Sequence, residues 1–367
     1  MMRVPFVDLA SWAKPSREEY LAAFAKVLDT GAFVGGPQVA EFEGAFAEFC
    51  GAKHAVAVNN GTDALLLALR ALGVRPGDEV ITAANSFFAT AEAISHAGAV
   101  PVLADVDDAT LLLDLESAAQ RVSAKTKAII PVHLFGQLAD MPRVRDFATQ
   151  HGLRVLEDSS QAHGATRGAD RAGSSGDAAT FSFYPTKNLG AIGEGGAVTT
   201  NDPELADRVR RLRDHGQAGR HDHVDIAYNA RLDSVQCACL SISLRRLAAA
   251  NDARRSLARR YRARLGDAVR FVTEAEGSAP VYHLMIVRVD PAKRDAIRDT
   301  LGKAGVATAI HYPTPIHLQR AYAHLGQGPG SCPVAERSVL EMISLPMFPD
   351  LTVEAVDYVC DQLLAAL

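Results

Sequence analysis

Residues 55–58 read Ala-Val-Ala-Val, residues 59–62 read Asn-Asn-Gly-Thr, and residues 63–72 read DALLLALRAL. An apolar tetrapeptide, a turn and a helical apolar pattern make a buried strand that runs straight into a helix, which Gly73 ends. The unit then repeats. Pro76-Gly77-Asp78 is a turn, residues 79–82 a strand, residues 89–97 a helix stopped by Gly98, and residues 100–106 another strand. A strand at 127–133, a helix at 141–151 and a strand at 153–158 follow, with two more strands at 181–184 and 196–200. Strands that are apolar on both faces need cover on both faces. The alternation therefore predicts an α/β fold with a largely parallel sheet and helices outside it.

The texture changes near residue 232. Leu240, Leu244 and Leu247, then Leu257, Tyr261 and Leu265, recur at three- and four-residue spacing. This predicts a long amphipathic helix with a break near Asn251. Its polar side carries Arg245, Arg246, Arg254, Arg255, Arg259, Arg260, Arg262 and Arg264, which reads as a solvated face or, alternatively, as a phosphate-steering patch. Beyond it, 281–289 reads as a strand, and 291–304 and 353–367 as helices. The expected division is a large domain at 1–245 and a smaller one at 246–367. No internal repeat or low-complexity segment is evident.

The chain has 367 residues, 48% hydrophobic and 22% charged, with a formal net charge of −5. Those values belong to a globular chain and leave no basic field for nucleic acid or a membrane surface. Five cysteines (Cys50, Cys237, Cys239, Cys332 and Cys360) form neither an even disulfide framework nor a CxxC zinc knuckle. Cys237 and Cys239 lie on the predicted helix and read as packing residues. No apolar secretory core opens the chain and no run of 18 apolar residues occurs, so a cytoplasmic location is expected.

Ligands in open α/β sheets bind beyond the carboxyl ends of the strands, and three such ends here carry distinctive residues. Asn59-Asn60-Gly61-Thr62 opens a helix. It suits a phosphate cradle, with Gly61 permitting close backbone approach, or simply a capped helix with Thr62 as N-cap. Glu157-Asp158-Ser159-Ser160-Gln161 ends a strand in two adjacent carboxylates, one for each face. Asp158 could hold a cation, either a metal or a protonated heterocycle, or could cap the next turn. Phe181-Ser182-Phe183-Tyr184-Pro185-Thr186-Lys187-Asn188 places one lysine after an aromatic strand. Gly190, Gly193, Gly195 and Gly196 behind it leave room for a flat ligand. Desolvation of such a lysine lowers its pKa and makes a better amine nucleophile, whereas a surface-loop lysine would do nothing.

Taken together, a phosphate cradle, a carboxylate for a ring cation and a Schiff-base lysine are what pyridoxal phosphate requires. Dinucleotide binding fits less well, because no G-x-G-x-x-G lies at a first strand–helix turn. His221-Asp222-His223 lacks a further paired cluster for a metal, and Gly173-Ser174-Ser175-Gly176 is not a nucleophile elbow. No metal is expected.

At these residues the chain resembles the DegT/StrS family of nucleotide-sugar aminotransferases, within the fold-type I pyridoxal-phosphate enzymes. The resemblance runs through GPQVAEFEGAFAEFCGAKHAVAVNNGTDALLLAL, PGDEVITAANSFFATAEAI, TKAIIPVHLFGQLADM, LEDSSQAHGA, GDAATFSFYPTKNLGAIGEGGAVTTND, YNARLDSVQ and HYPTPIHLQRAYAHLG. It implies an aspartate aminotransferase-like fold with a smaller C-terminal α+β domain, and a homodimer with shared active sites. Lys187 would form the Schiff base with pyridoxal 5'-phosphate, and Asp158 would pair with the pyridinium nitrogen. Gln161 would bond the ring hydroxyl and Phe87 would stack on the ring. Gly61, Thr62 and Ser182 would hold the phosphate, helped by Asn60, where serine is commoner in the family. Asn229 would reach the phosphate of the neighbouring subunit.

The segment from Phe183 to Ala191, the turn Ala191-Ile192-Gly193-Glu194-Gly195-Gly196 and residues 311–319 (HYPTPIHLQ) are most similar to the branch that aminates C3 of dTDP-linked 3-keto-6-deoxyhexoses. The resemblance offers Tyr184, His311 and His317 as sugar contacts and L-glutamate as donor. A C4 or keto-cyclitol aminotransferase is the alternative with the same chemistry. A non-enzymatic regulatory or binding protein is the alternative from another class.

Overall fold

The computed structural model describes residues 2–367. Its centre is a seven-stranded sheet in the order His54–Val58, Gly196–Thr200, Ala178–Ser182, Arg154–Asp158, Thr126–Ile130, Glu79–Ala83 and Val100–Ala104. Gly196–Thr200 runs against both of its neighbours, and the other pairings are parallel. The sheet expected from the alternation is therefore present, with one reversed strand. Every residue of Gly196–Thr200 is buried, as a strand covered on both faces demands.

The strand expected at 181–184 lies earlier, at Ala178–Ser182. Pro185 explains the shift. A proline has no N–H for a ladder and biases the residue before it, so the chain leaves the sheet ahead of Tyr184. Phe183 is held instead by its own N–H to Gly195 O at 2.7 Å. Alternation continues through this exit. Phe181 and Phe183 are fully buried against Phe42 and Phe46 of the helix Pro37–Cys50, with ring centroids 4.9–5.4 Å apart. Ser182 and Tyr184 consequently face the other way. Burying each phenylalanine contributes about 1.5–3 kcal/mol, so the aromatic cluster pins the segment that carries Lys187.

The long helix is continuous over Ser234–Leu265, without the break read at Asn251. Asn251 is buried there, and its Nδ2 donates to His163 O at 2.9 Å, so a polar residue that looked like an interruption has partners inside the protein. The solvated-face reading holds for Arg245, Arg246, Arg259 and Arg260, which are exposed, and fails for Arg254. Arg254 is buried and donates to Tyr282 O and Met347 O, while Arg260 pairs with Asp357 and Arg264 with Asp361. These arginines tie the helix to its surroundings, which leaves them committed rather than free for a phosphate.

Leu240 and Leu247 of this helix pack with the aromatic cluster, whereas Leu257, Tyr261 and Leu265 join a second core. The second core contains an antiparallel three-stranded sheet, Arg270–Phe271, Met285–Arg288 and Met342–Leu345, and the helices Arg294–Lys303 and Val353–Ala366. Val4 packs into it too, so the N-terminus contributes to the C-terminal core. The expected boundary at residue 245 falls within the continuous helix. Among the described residues, no helix is long and apolar enough to cross a membrane.

Candidate active site

Three strand ends meet at one cavity of about 690 Å³. Asn60, Gly61, Thr62, Phe87, Asp158, Gln161, Ser182, Tyr184, Lys187 and His311 all line it. These come from five separate segments of sequence, brought together because the parallel strands end on the same side. Another sizeable cleft is lined by Arg210, Arg211, Arg213 and Arg231, but those arginines pair with Asp207, Asp225, Glu43 and Asp214 respectively. It offers no nucleophile.

The first strand end feeds the helix Gly61–Ala71. Asn60, not Thr62, is the N-cap. Its Oδ1 accepts from Asp63 N at 2.8 Å, and its Nδ2 donates to Asp63 Oδ2 at 3.0 Å. Both residue types cap helices; a Thr62 cap would have begun the helix two residues later and taken Ala64 N or Leu65 N instead. The Asn60 amide is thus engaged locally, while Thr62 is released from capping. The first N–H groups of the helix, at Gly61 and Thr62, have no intrahelical acceptors and sit at the positive end of the helix dipole. A Cβ on Gly61 would lie 2.6 Å from Ser182 Cβ, so only glycine permits this close approach of helix and strand. The result is a compact cradle of N–H and hydroxyl donors suited to a phosphate.

The second strand end separates its two carboxylates as alternation requires. Glu157 is fully buried on one face, where its oxygens accept from Gly173 N, Ser175 N and Gly176 N at 2.7–3.1 Å and contact His133 Nε2 at 2.9 Å. Asp158 lies on the cavity face. Thr90 Oγ1 donates to its Oδ2 at 2.8 Å and Ser160 N to its Oδ1 at 3.2 Å, so the turn contact anticipated for Asp158 coexists with exposure to the cavity. Thr90 is itself in contact with Ser86 Oγ at 2.7 Å, which fixes the hydroxyl. Gln161 accepts from Phe135 N at 2.7 Å, which orients its amide nitrogen toward Tyr312 Oη, 3.1 Å away. Phe87 is exposed at the cavity wall, its ring centroid 5.2 Å from that of Tyr312.

Lys187 follows the third strand end. Burial lowers its pKa to about 8, against the opposing pull of the Asp158 charge. A larger fraction of free amine is therefore available near neutrality than for an ordinary lysine. His163 and His311 share the surroundings. Burial, then the Lys187 charge, lowers His163 to about 3 and His311 to about 4, so both stay neutral. His311 Nδ1 lies 2.8 Å from Ser344 Oγ, and its ring stacks on Phe6.

Two anticipated residues lie elsewhere. The His317 side chain is buried, with Nε2 2.9 Å from Glu336 Oε1, and does not line the cavity. Glu336 also accepts from Gly330 N and Cys332 N, so His317 belongs to a turn-fixing cluster behind the site. Asn229 is exposed and does not line this chain's cavity. The sequence reading missed Thr90, Tyr312 and His283. Tyr312 sits inside a quoted motif and could have been proposed from it. Thr90 likewise lies within the quoted motif of residues 76–94, whereas His283 carries no local signal.

The donor set fits pyridoxal phosphate. The cradle would take the phosphate, Asp158 would face the ring nitrogen, Gln161 would offer an N–H to a ring hydroxyl, and Lys187 would supply the amine. When bound, that cofactor provides an electron sink for moving an amino group.

The DegT/DnrJ/EryC1/StrS aminotransferase family matches residues 15–364. The chain is 43% identical to a "Pleiotropic regulatory protein" of Geobacillus stearothermophilus, over 99% of this chain and 98% of that one. It is also 43% identical to a dTDP-3-amino-3,4,6-trideoxy-alpha-D-glucose transaminase of Streptomyces venezuelae, over 95% and 92% of the two chains. The crystal structure of S. venezuelae DesV in complex with a ketimine intermediate superposes with a TM-score of 0.97 at 42% identity, covering 100% of this chain and 98% of that one. With a cavity that presents a lysine of lowered pKa to a carboxylate and an anion cradle, and with that match along nearly its whole length, the chain belongs to the DegT/DnrJ/EryC1/StrS aminotransferase family.

Proposed function

We propose that this aminotransferase uses pyridoxal 5'-phosphate to transfer an amino group from L-glutamate to C3 of a dTDP-linked 3-keto-6-deoxyhexose. The observation that carries the proposal is the single cavity shared by Lys187, Asp158 and the Gly61–Ser182 cradle. Lys187 takes and returns the proton that must leave the donor's Cα, a task that suits an amine with a pKa of about 8. Asp158, held by Thr90 and Ser160, would present its carboxylate to the ring nitrogen of the bound cofactor. Tyr184 and His311, at the wall of the same cavity, are the proposed sugar contacts; His317 is withdrawn from that role. The C3 position is supported by the residues from Phe183 to Gly196 and by the name of the Streptomyces venezuelae relative.

A regulatory reading draws support from the name of the Geobacillus relative. Purification separates the two. An aminotransferase should be yellow with bound cofactor, bleach on addition of L-glutamate and release 2-oxoglutarate. A colourless chain that yields no 2-oxoglutarate with added cofactor would favour regulation.

The proposal includes a two-fold dimer in which Asn229 completes the partner's phosphate site. Its support is the family resemblance together with an Asn229 that is exposed and absent from its own chain's cavity. An isologous interface would give each subunit one asparagine and take one. At limiting cofactor, Asn229→Ala should lose cofactor and activity. Mixed with inactive Lys187→Ala subunits, it should regain activity, because one site of each heterodimer carries both lesions and the other is intact. Confirmed heterodimers that stay inactive would refute the shared site.

A further inference from the structure

His283 lines the cavity from the C-terminal side and is tied to the residue that follows Lys187. Its Nδ1 lies 3.2 Å from Asn188 Oδ1. Which of these atoms carries the proton is settled by what lies behind them. Asn188 Nδ2 is 2.9 Å from Val281 O and 2.9 Å from Asn251 Oδ1, and Asn251 Nδ2 is 2.9 Å from His163 O. Backbone carbonyls can only accept. Turning either amide over would set oxygen against oxygen, so both amides are fixed with nitrogen toward the carbonyls. Asn188 therefore offers an oxygen to His283, and Nδ1 must be the protonated nitrogen.

Asn188 and Asn251 are both buried, where an amide group left without its bonds is costly, which keeps the chain of bonds intact. The other ring nitrogen, Nε2, has no hydrogen-bond partner among the described residues and is left with its lone pair. The charged and titratable groups around the ring are Lys187, Arg254, His311 and His163. Together with burial, the largest cause, they hold His283 well below the usual histidine range. The Arg254 guanidinium is anchored through Nη1, which donates to Tyr282 O and Met347 O.

We propose that His283 is a positioning residue for Lys187: its Nε2, fixed as an acceptor by the Asn251–Asn188 amide chain, takes a hydrogen bond from the free Lys187 amine and aims that nitrogen. The role rests on the transaminase reading, because it operates while Lys187 handles the substrate proton. Lys187 and Asn188 are adjacent, so the backbone that carries the amine also carries the group that sets the histidine tautomer. Amine and acceptor are thereby held in one frame.

The test has two arms on the full-length protein. With nitrogen-15-labelled histidine, NMR should find one neutral tautomer for His283, protonated at Nδ1 and bare at Nε2, identified by its loss in His283→Asn. A ring protonated at Nε2 would overturn the proposal. The second arm uses His283→Asn, whose shorter amide can still donate to Asn188 but presents nothing at the Nε2 position, and His283→Gln, which reaches that position. With α-deuterated L-glutamate, His283→Asn should slow the donor half-reaction roughly tenfold, as expected for one lost hydrogen bond. The isotope effect should increase, KM should change little, and His283→Gln should recover part of the rate. Wild-type rate and isotope effect in a folded His283→Asn protein would overturn the proposal. A wild-type chain with no half-reaction would overturn the transaminase reading and this role with it, while the tautomer signal would still report the amide chain.

Discussion

Lys187→Ala should be inactive, with turnover reduced by at least roughly 10³-fold, since a general acid–base group alone contributes about 10²–10⁴. The expectation follows from position. Lys187 lines the cavity on a segment pinned by Phe181 and Phe183, and its pKa of about 8 lets it act as free amine and as ammonium within the working range. Among the described residues, no other lysine lines that cavity. Removing the side chain deletes a group exposed to the pocket rather than a core contact, so the fold should survive. Borohydride reduction of the wild-type protein with its cofactor should attach the cofactor to Lys187, readable by peptide mass spectrometry, and the variant should stay unlabelled. Full activity in Lys187→Ala would remove the lysine from the chemistry.

The second large effect is expected at Asp158. Its carboxylate is fixed by Thr90 Oγ1 and Ser160 N, and the chain gives it no cationic partner of its own at bonding distance among the described residues. A charge-assisted hydrogen bond contributes about 1.5–3 kcal/mol, so Asp158→Asn should lose roughly 10–100-fold in turnover. Asparagine keeps the shape and can still accept from Ser160, which isolates the charge. Asp158→Ala should lose more, because Thr90 and Ser160 are left without their acceptor. Cofactor retention should weaken in both variants, measured by dialysis and absorbance. Wild-type turnover in Asp158→Asn would show that the charge is not needed.

Much of this site was legible because its residues sit at strand ends, and strand ends announce themselves. An apolar run stops, a glycine or a pair of carboxylates follows, and a helix begins. Gly61, Asp158 and Lys187 each lie at such a point, and a parallel sheet brings those points together without further information. The single reversed strand, Gly196–Thr200, was not visible, because a fully buried strand has the same composition in either direction.

The misreadings share a cause. Asn251 looked like a helix break and Arg254 like a surface residue, because local pattern cannot see a partner 88 or 93 residues away. Thr90 reaches Asp158 across 68 residues and His283 reaches Asn188 across 95, so their roles exist only in the folded chain. His317 shows the converse. It stands in a motif that also supplies His311 and Tyr312 to the cavity, yet the short helical turn Ile316–Leu318 points it back to Glu336.

The most direct measurement of the central claim is to incubate the protein with pyridoxal 5'-phosphate, L-glutamate and a panel of nucleotide-linked 3-keto and 4-keto sugars, then locate the new nitrogen by NMR. The account predicts an amino group on C3 of the dTDP-linked 3-keto-6-deoxyhexose, formed in step with 2-oxoglutarate. Nitrogen on C4, or no aminated sugar from any 3-keto substrate, would contradict it.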